Sequence, residues 1–202
     1  MKTLFFDNEN DWKKVEIKSI GKIVTGNTPP TNNRENYGND FLFVSPVDMG
    51  TTKYIEKTVN NLSLKGHSIS RKVPVNSILY TCIGSTIGKI GIVTKTLSTN
   101  QQINSIICNE HFDYEFVYYL LIANKKRILE YATNQAVPMI NKSVFEEIIV
   151  KIPELSVQKS ISKILIKADE ELKYYNLLLL EYQQQKQGLM QQLLTGKVRV
   201  KN

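Results

Sequence analysis

The feature that most constrains this sequence is a regular heptad pattern near its C-terminal end. Mostly apolar side chains recur there in alternating steps of four and three residues, which predicts one face of a long α-helix. We call these positions the seam: Ile161, Leu165, Ala168, Leu172, Tyr175, Leu179, Tyr182, Lys186, Leu189 and Leu193. The tyrosines and Lys186 are bulky or polar for such positions, and such groups fix helix register and orientation, so we expect specific packing.

The predicted helix is too long for its own domain to cover. No proline follows Pro153, and no glycine comes between Pro153 and Gly188. A helix of about 40 residues is about 60 Å long at 1.5 Å per residue. We therefore expect the seam to pair with a helix of another copy or another chain. The alternative is a helix that folds back onto its own domain.

The residues before Pro153 show mixed periodicity and predict a globular α+β domain. Short apolar runs bounded by turn-rich segments predict strands at Phe41–Val44, Ser77–Ile83, Lys89–Val93 and Ile103–Cys108. A helix capped by Asp113 is predicted to run to about Ala132, followed by a short helix at Ser143–Glu147 and a strand at Ile148–Ile152. The pattern divides the chain into residues 1–152 and residues 153–202.

Charge and composition favour a nucleic-acid partner but show no active site. The net charge is +7 and the isoelectric point about 9.2, which favours an anionic partner. Cys82 and Cys108 lack metal-site spacing, so we expect buried thiols in a reducing compartment. His67, in a polar segment, and His111, at a strand end, are expected at the surface. We predict no catalytic residue and no metal site.

Two segments resemble catalytic motifs without meeting their requirements. Gly84–Lys89 has three residues between its glycines where a phosphate-binding loop needs four, and Ile90 stands where a hydroxyl should bind magnesium. Asn27-Thr28-Pro29-Pro30 is similar to the catalytic loop of DNA amino-methyltransferases, but Thr28 separates the asparagine from the prolines. We expect both segments to be structural loops.

Several segments together resemble the specificity subunits of type I restriction-modification systems. The tail from Lys186 to Arg199, with Leu-Leu-Thr-Gly-Lys, is similar to the family's C-terminal signature, and Ile152–Ile161 to the segment that begins its conserved helix. Four further segments resemble the framework of the family's target recognition domain: Trp12–Val15, Thr25–Pro29, Gly84–Gly88 and Thr99–Gln102. These matches extend from Trp12 to Arg199.

The resemblance implies a DNA-reading subunit of about half the usual size. Complete family members carry two target recognition domains and two long helices that pack antiparallel, and each domain reads half of a bipartite site. Methyltransferase subunits, and in some complexes restriction subunits, dock on them. S-adenosylmethionine, ATP and magnesium are implied for those partners alone. This chain would be a short subunit that dimerises, a truncation, or half of a longer protein.

Residues on predicted loops have the chemistry needed for double-stranded DNA. Basic side chains suit phosphates, while amides suit adenine and arginine suits guanine. For phosphates we predict Lys22, Lys53, Arg71, Lys72, Lys89 and Lys95. For the rest of the DNA surface we predict Asn27, Thr28, Arg34, Ser85, Asn134, Gln135, Asn141 and Lys142. Asn100 and Gln101 would either join this surface or support a turn.

Three other functions stay open. The first is an interaction protein whose coiled coil is the functional part and which does not read DNA. The second is an autonomous DNA enzyme, and the third is a solitary half subunit that sequesters or regulates methyltransferase subunits. Asp7, Glu9 and Asp11 interrupt the first apolar residues, and no apolar run is long enough to span a membrane. We therefore expect a cytoplasmic protein.

Overall fold

A computed structural model describes residues 12–200, so the acidic positions Asp7, Glu9 and Asp11 lie outside the described residues. Its internal contacts divide the chain into two units, with the division after Lys159. This point lies inside the long helix, whereas the change in sequence character comes at Pro153. The first unit carries all the strands of the described residues, and the second consists mainly of the rest of the helix.

The first unit contains two main sheets and a separate two-stranded ribbon. In chain order the strands are β1 (Lys13–Glu16), β2 (Gly21–Thr25), β3 (Tyr37–Val44), β4 (Tyr54–Ile55), β5 (Asn60–Leu62), β6 (Lys72–Val73), β7 (Ile78–Thr81), β8 (Ile90–Val93), β9 (Leu97–Thr99), β10 (Ile103–Cys108) and β11 (Ile149–Ile152). One sheet has the order β2-β10-β7-β8-β4, and the other β5-β3-β9-β6. The ribbon pairs β1 with β11 antiparallel.

The helices are α1 (Ile17–Ile20), α2 (Leu64–Ile69), α3 (Tyr114–Ala123), α4 (Lys125–Leu129), α5 (Lys142–Glu147) and α6 (Leu155–Leu194). Short 3-10 turns span Arg34–Asn36 and Pro46–Asp48. The Asp113 cap is confirmed, because its Oδ1 accepts from the Phe116 N–H at 2.8 Å. The single helix predicted as far as Ala132 is wrong, since the backbone leaves the helix at Asn124 (φ −89°, ψ 3°) and restarts.

The core explains why the central strands read as continuous apolar runs. All four residues of β7 and of β8 are buried. Both strands lie in the middle of their sheet, and α3 packs against them. Side chains from both main sheets form one apolar cluster, including Val44 and Val73 from one sheet and Leu79 and Ile103 from the other. Strands that are covered on both faces lose polar alternation.

His67 is buried, so its predicted surface position is wrong. Ser63 starts α2 by accepting a hydrogen bond from the Gly66 N–H, and the resulting helix turns His67 inward to 5% exposure. The imidazole stacks on Phe41 with ring centroids 4.0 Å apart, and its Nδ1 lies 3.1 Å from Ser98 Oγ. Burial, with a smaller effect of Lys72, lowers the pKa of His67. His111 is exposed, as predicted.

The long helix has the predicted length, since α6 contains 40 residues. Its middle exposes large apolar side chains: Leu172, Tyr175, Leu179 and Tyr182 of the seam are each between 55% and 62% exposed. At the start of α6 the buried Gln158 amide accepts from Asp113 N (2.9 Å) and donates to Pro153 O (2.9 Å). Among residues 12–200, no helix is long and apolar enough to cross a membrane.

Candidate nucleic-acid interface

The predicted polar loops meet at one end of the first unit. The register pairs Ile103 with Thr81 and Asn104 with Thr25, so the loops that follow β2 and β7 lie beside the turn that precedes β10. Backbone hydrogen bonds connect these loops to the turn: Asn27 N donates to Thr99 O at 3.0 Å, and Cys82 N donates to Gln102 O at 2.8 Å. We call the combined surface the loop face: residues 26–33, 70–72, 82–89, 99–102 and 133–141.

Asn27 joins two loops of this face. Its Nδ2 donates to Ile69 O (3.3 Å), and its Oδ1 accepts from Arg71 N (2.7 Å). The Arg71 guanidinium donates to Thr25 O at 2.8 Å, and the side chain is exposed. Lys72 follows on β6, opposite Ser98, and is also exposed. The two cations therefore stand next to the asparagine that the sequence singled out.

The turn at residues 99–102 is built by side-chain amides. Asn100 Nδ2 donates to Gln102 Oε1 (2.9 Å), and Asn100 Oδ1 accepts from Gln102 N (3.1 Å). The exposed Gln101 accepts from the Thr28 hydroxyl at 2.6 Å. Of the two roles considered for Asn100, the structure thus shows the turn-supporting one, while Gln101 and Thr28 lie on the surface.

The glycine-rich loop from Gly84 to Gly88 is a further part of the loop face. Both glycines have positive φ, 85° and 83°, a conformation that side chains with a Cβ rarely adopt. Lys125 packs over Gly88 so closely that a Cβ there would lie 2.7 Å from Lys125 Cε. Ser85 is exposed at the loop's tip, while Lys89 donates to Pro46 O at 2.7 Å. Lys125 is not among the residues predicted from sequence, because the break at Asn124 that brings it to this loop lies inside the single helix predicted there.

The loop at residues 133–141 is anchored beside the glycine-rich loop. Gly84 N donates to Pro138 O and Ile140 N donates to Cys82 O, each at 2.8 Å. The tip carries exposed Asn134 and Gln135. Asn141, at the loop's end, caps α5 by accepting from Val144 N (2.9 Å), and Lys142 forms an ion pair with Glu146 (3.4 Å).

Some predicted residues lie elsewhere. Lys53 is engaged inside the domain: its ammonium is 2.6 Å from Glu115 Oε2, and the two side chains are 11% and 8% exposed. We correct its assignment, because a buried and paired ammonium does not reach DNA. Lys95 follows β8 at the Ile78 end of the sheet, away from the loop face. Lys22 is exposed on β2 opposite Ile107, and Arg34 is exposed on a 3-10 turn.

Positive charge and hydrogen-bonding groups occur together on the loop face. Arg71, Lys72 and Lys125 bring positive charge to loops rich in amides and hydroxyls. Burial raises the pKa of Cys82 to about 12, so this thiol stays protonated at neutral pH. Within residues 12–200, no cluster of three or more histidine, cysteine or acidic side chains could hold a metal ion.

The comparisons with known proteins identify the family of the chain. The profile of the "Type I restriction modification DNA specificity domain" matches residues 9–186. The chain is 38% identical over 109 residues to the type I restriction enzyme HindI specificity subunit of Haemophilus influenzae, an alignment that covers 53% of this chain and 24% of that subunit. It is 29% identical over 169 residues to the MjaIX specificity subunit of Methanocaldococcus jannaschii, covering 79% and 38%.

Solved structures show the same fold. The S subunit of a type I restriction-modification system from M. genitalium superposes with a TM-score of 0.62 at 19% identity, covering 94% of this chain and 47% of that one. The HsdS subunit from Thermoanaerobacter tengcongensis superposes with a TM-score of 0.64 at 14% identity, and the match covers 85% of this chain and 41% of that one. The matches cover less than half of each of these relatives. The fold is therefore the one found in these S subunits. The chain belongs to the family of type I restriction-modification specificity subunits.

Proposed function

We propose that this chain reads one half of a bipartite DNA target for methyltransferase subunits, in the cytoplasm and without a catalytic residue of its own. The observation that carries the proposal is the loop face, where hydrogen bonds hold polar loops and exposed cations together at one end of a specificity-family fold. Such a surface supplies both requirements of sequence reading, since cations position a protein on phosphates and amides distinguish base edges.

The second half of the target would be read by a second copy, joined through α6. The seam supports this, because Leu172 and Leu179 are 61% and 55% exposed and have no cover in the single chain. Large apolar side chains repeated at heptad positions pack well only against another helix. A two-fold dimer would give both copies the same contacts and supply two loop faces.

The middle of α6 also offers apolar surface away from the seam. Tyr174, Leu177 and Leu180 are 64%, 54% and 51% exposed, and Leu177 lies on the opposite side of the heptad from Leu179. One partner helix cannot cover a helix that is apolar on all sides. This second surface supports docking of methyltransferase subunits, with restriction subunits joining the same complex. S-adenosylmethionine, ATP and magnesium would bind to those subunits.

The test is to co-express the full chain with a cognate methyltransferase subunit and to map the modified bases. We expect a palindromic bipartite motif, because two identical halves would read it. Leu179→Glu should abolish both dimerisation and modification, since it places a carboxylate in the seam. Gln191→Glu is the matched control, because it adds the same charge away from the seam and 11 residues beyond Leu180, the last residue of the proposed docking surface. Methyltransferase binding without any sequence motif would instead support the sequestering function.

A further inference from the structure

We propose that the loop from Thr133 to Met139 is the base-reading element of the loop face and recognises adenine through Asn134 and Gln135. The inference rests on the proposed function and names the part of the surface that performs it. Recognition of adenine by an amide side chain needs a free oxygen and a free nitrogen on the same group, because the base presents one donor and one acceptor.

Only the exposed Asn32, whose neighbour Asn33 accepts from Glu35 N, shares this freedom; the other amides of the loop face among the described residues do not meet the requirement. Asn27 uses its oxygen for Arg71 N and its nitrogen for Ile69 O. Asn100 and Gln102 are bonded to each other. The oxygen of Gln101 accepts from Thr28, and that of Asn141 caps α5. These groups build the loops, and using them for bases would break the contacts that hold the surface together.

Asn134 and Gln135 differ in this respect. Both are exposed, and neither side chain forms a hydrogen bond within the part of the chain that the structure describes. Their loop is nevertheless fixed at its base, where Thr133 N donates to Met139 O (3.0 Å) and Met139 N donates to Thr133 Oγ1 (3.2 Å). A tip with free amides on an anchored base can bind without paying for the ordering of the whole loop.

The same tip offers an apolar contact suited to the partner base. Val137 is 59% exposed and lies two residues from Gln135. An adenine that is bound by an amide pairs with thymine, whose methyl group lies in the same major groove and favours apolar contact. The adjacent glycine-rich loop, with Ser85 and Lys125, is placed to hold a phosphate next to this groove. The loop is therefore assigned to A·T pairs, with one adenine for each amide.

The experiment uses the full chain with its methyltransferase subunits and selects bound sequences from a random duplex pool. Asn134→Ala and Gln135→Ala should each reduce the preference for adenine at one base pair, by roughly 5- to 150-fold, with unchanged salt dependence. Gln135→Glu should move the preference at its position from adenine to cytosine, because a carboxylate accepts from cytosine N4 but cannot donate. Asn60→Ala, in an exposed strand position of β5, is the matched control.

The outcomes separate this inference from the proposed function. A wild-type chain that selects a motif, together with a shifted motif in Gln135→Glu, would support the inference. A wild-type motif that all three loop variants retain with full affinity would overturn it and leave the proposed function standing. A wild-type complex that binds duplexes without any motif would overturn the proposed function, and the inference with it.

Discussion

The Lys53 ammonium lies among three tyrosine rings, with centroids of Tyr54, Tyr118 and Tyr119 at 5.2, 5.3 and 4.3 Å. It donates to the Tyr119 hydroxyl (2.7 Å), and the Tyr54 hydroxyl donates to Glu115 Oε1 (2.7 Å). The pair thus connects the start of β4 to α3. From sequence this lysine resembles the other loop cations, because its partner is 62 residues away and only the fold brings them together.

Removing one partner of this pair should destabilise the domain strongly. Lys53→Met leaves a carboxylate buried without its counter-charge, which costs about 3–5 kcal/mol in the free energy of unfolding. Lys53→Met combined with Glu115→Leu should recover most of that loss, as measured by urea denaturation. Lys65→Met, which breaks the exposed pair with Glu35, is the control and should change little. Equal losses in the single and double variants would contradict the prediction.

His67 should make the domain less stable on the acid side. Burial lowers its pKa in the folded state, so the unfolded chain binds the proton more readily. The contribution of the neutral, buried imidazole to the free energy of unfolding is fully present above about pH 6.5, the ordinary pKa of histidine. It is lost as the pH falls below that value and through the lower pKa of the folded state. We expect His67→Phe to show a flatter loss of melting temperature between pH 6.5 and 5 than the wild type. Equal pH slopes in the wild type and in His67→Phe would contradict the prediction.

At the scale of elements, a change in the length of α6 should change the spacing of the recognised site. Inserting seven residues into the seam preserves the heptad and lengthens the helix by about 10 Å. At roughly 3.4 Å per base pair this corresponds to about three base pairs. We expect the gap of the bipartite motif to grow accordingly in a map of modified bases. An unchanged gap would show that α6 does not set the distance.

The elements that the sequence predicts are those with a local cause. Apolar runs predict β7, β8 and β10, and the Asp113 cap and the heptads predict the start of α3 and the length of α6. The strand β1 and helix α2 were not predicted, since four residues of β1 become a strand only by pairing with β11. Likewise the segment around His67 is polar in sequence, so α2 was not predicted. The side of α2 that carries His67 is buried only because Phe41 and Ser98, which are distant in sequence, pack against it.

For the candidate site, the residue types can be predicted from sequence, but the contacts between loops cannot. Loop chemistry alone picks out Asn27, Thr28, Arg71, Ser85 and the Asn134-Gln135 pair, and the structure brings their loops to one face. The sequence does not contain the loop contacts that decide which side chains remain available. It therefore includes Lys53 and Lys95, which lie elsewhere, and omits Lys125, whose neighbour Gly88 is 37 residues away.

For the molecule as a whole, the position of its cations predicts how the proposed DNA binding depends on salt. Each phosphate contact contributes about 0.9 to the slope of log affinity against log salt concentration. Lys72→Ala and Lys125→Ala should each lower that slope by about one and weaken binding to all sequences alike. Lys95→Ala, at the opposite end of the sheet, should change neither quantity. Titrations of labelled duplex at several salt concentrations measure both, and an equal effect of Lys95→Ala would count against the loop face.

The β1–β11 ribbon has a consequence for how such domains diversify. Lys13 pairs with Ile152 and Glu16 with Ile149. The segment between β1 and β11 therefore begins and ends on neighbouring strands, and β11 leads directly into α6. Everything between these strands forms a cassette with adjacent ends. Exchange of residues 17–148 for the equivalent stretch of a relative would preserve the ribbon and α6. Under the proposed function, one recombination step would then change the target, with no change to the surfaces proposed for assembly.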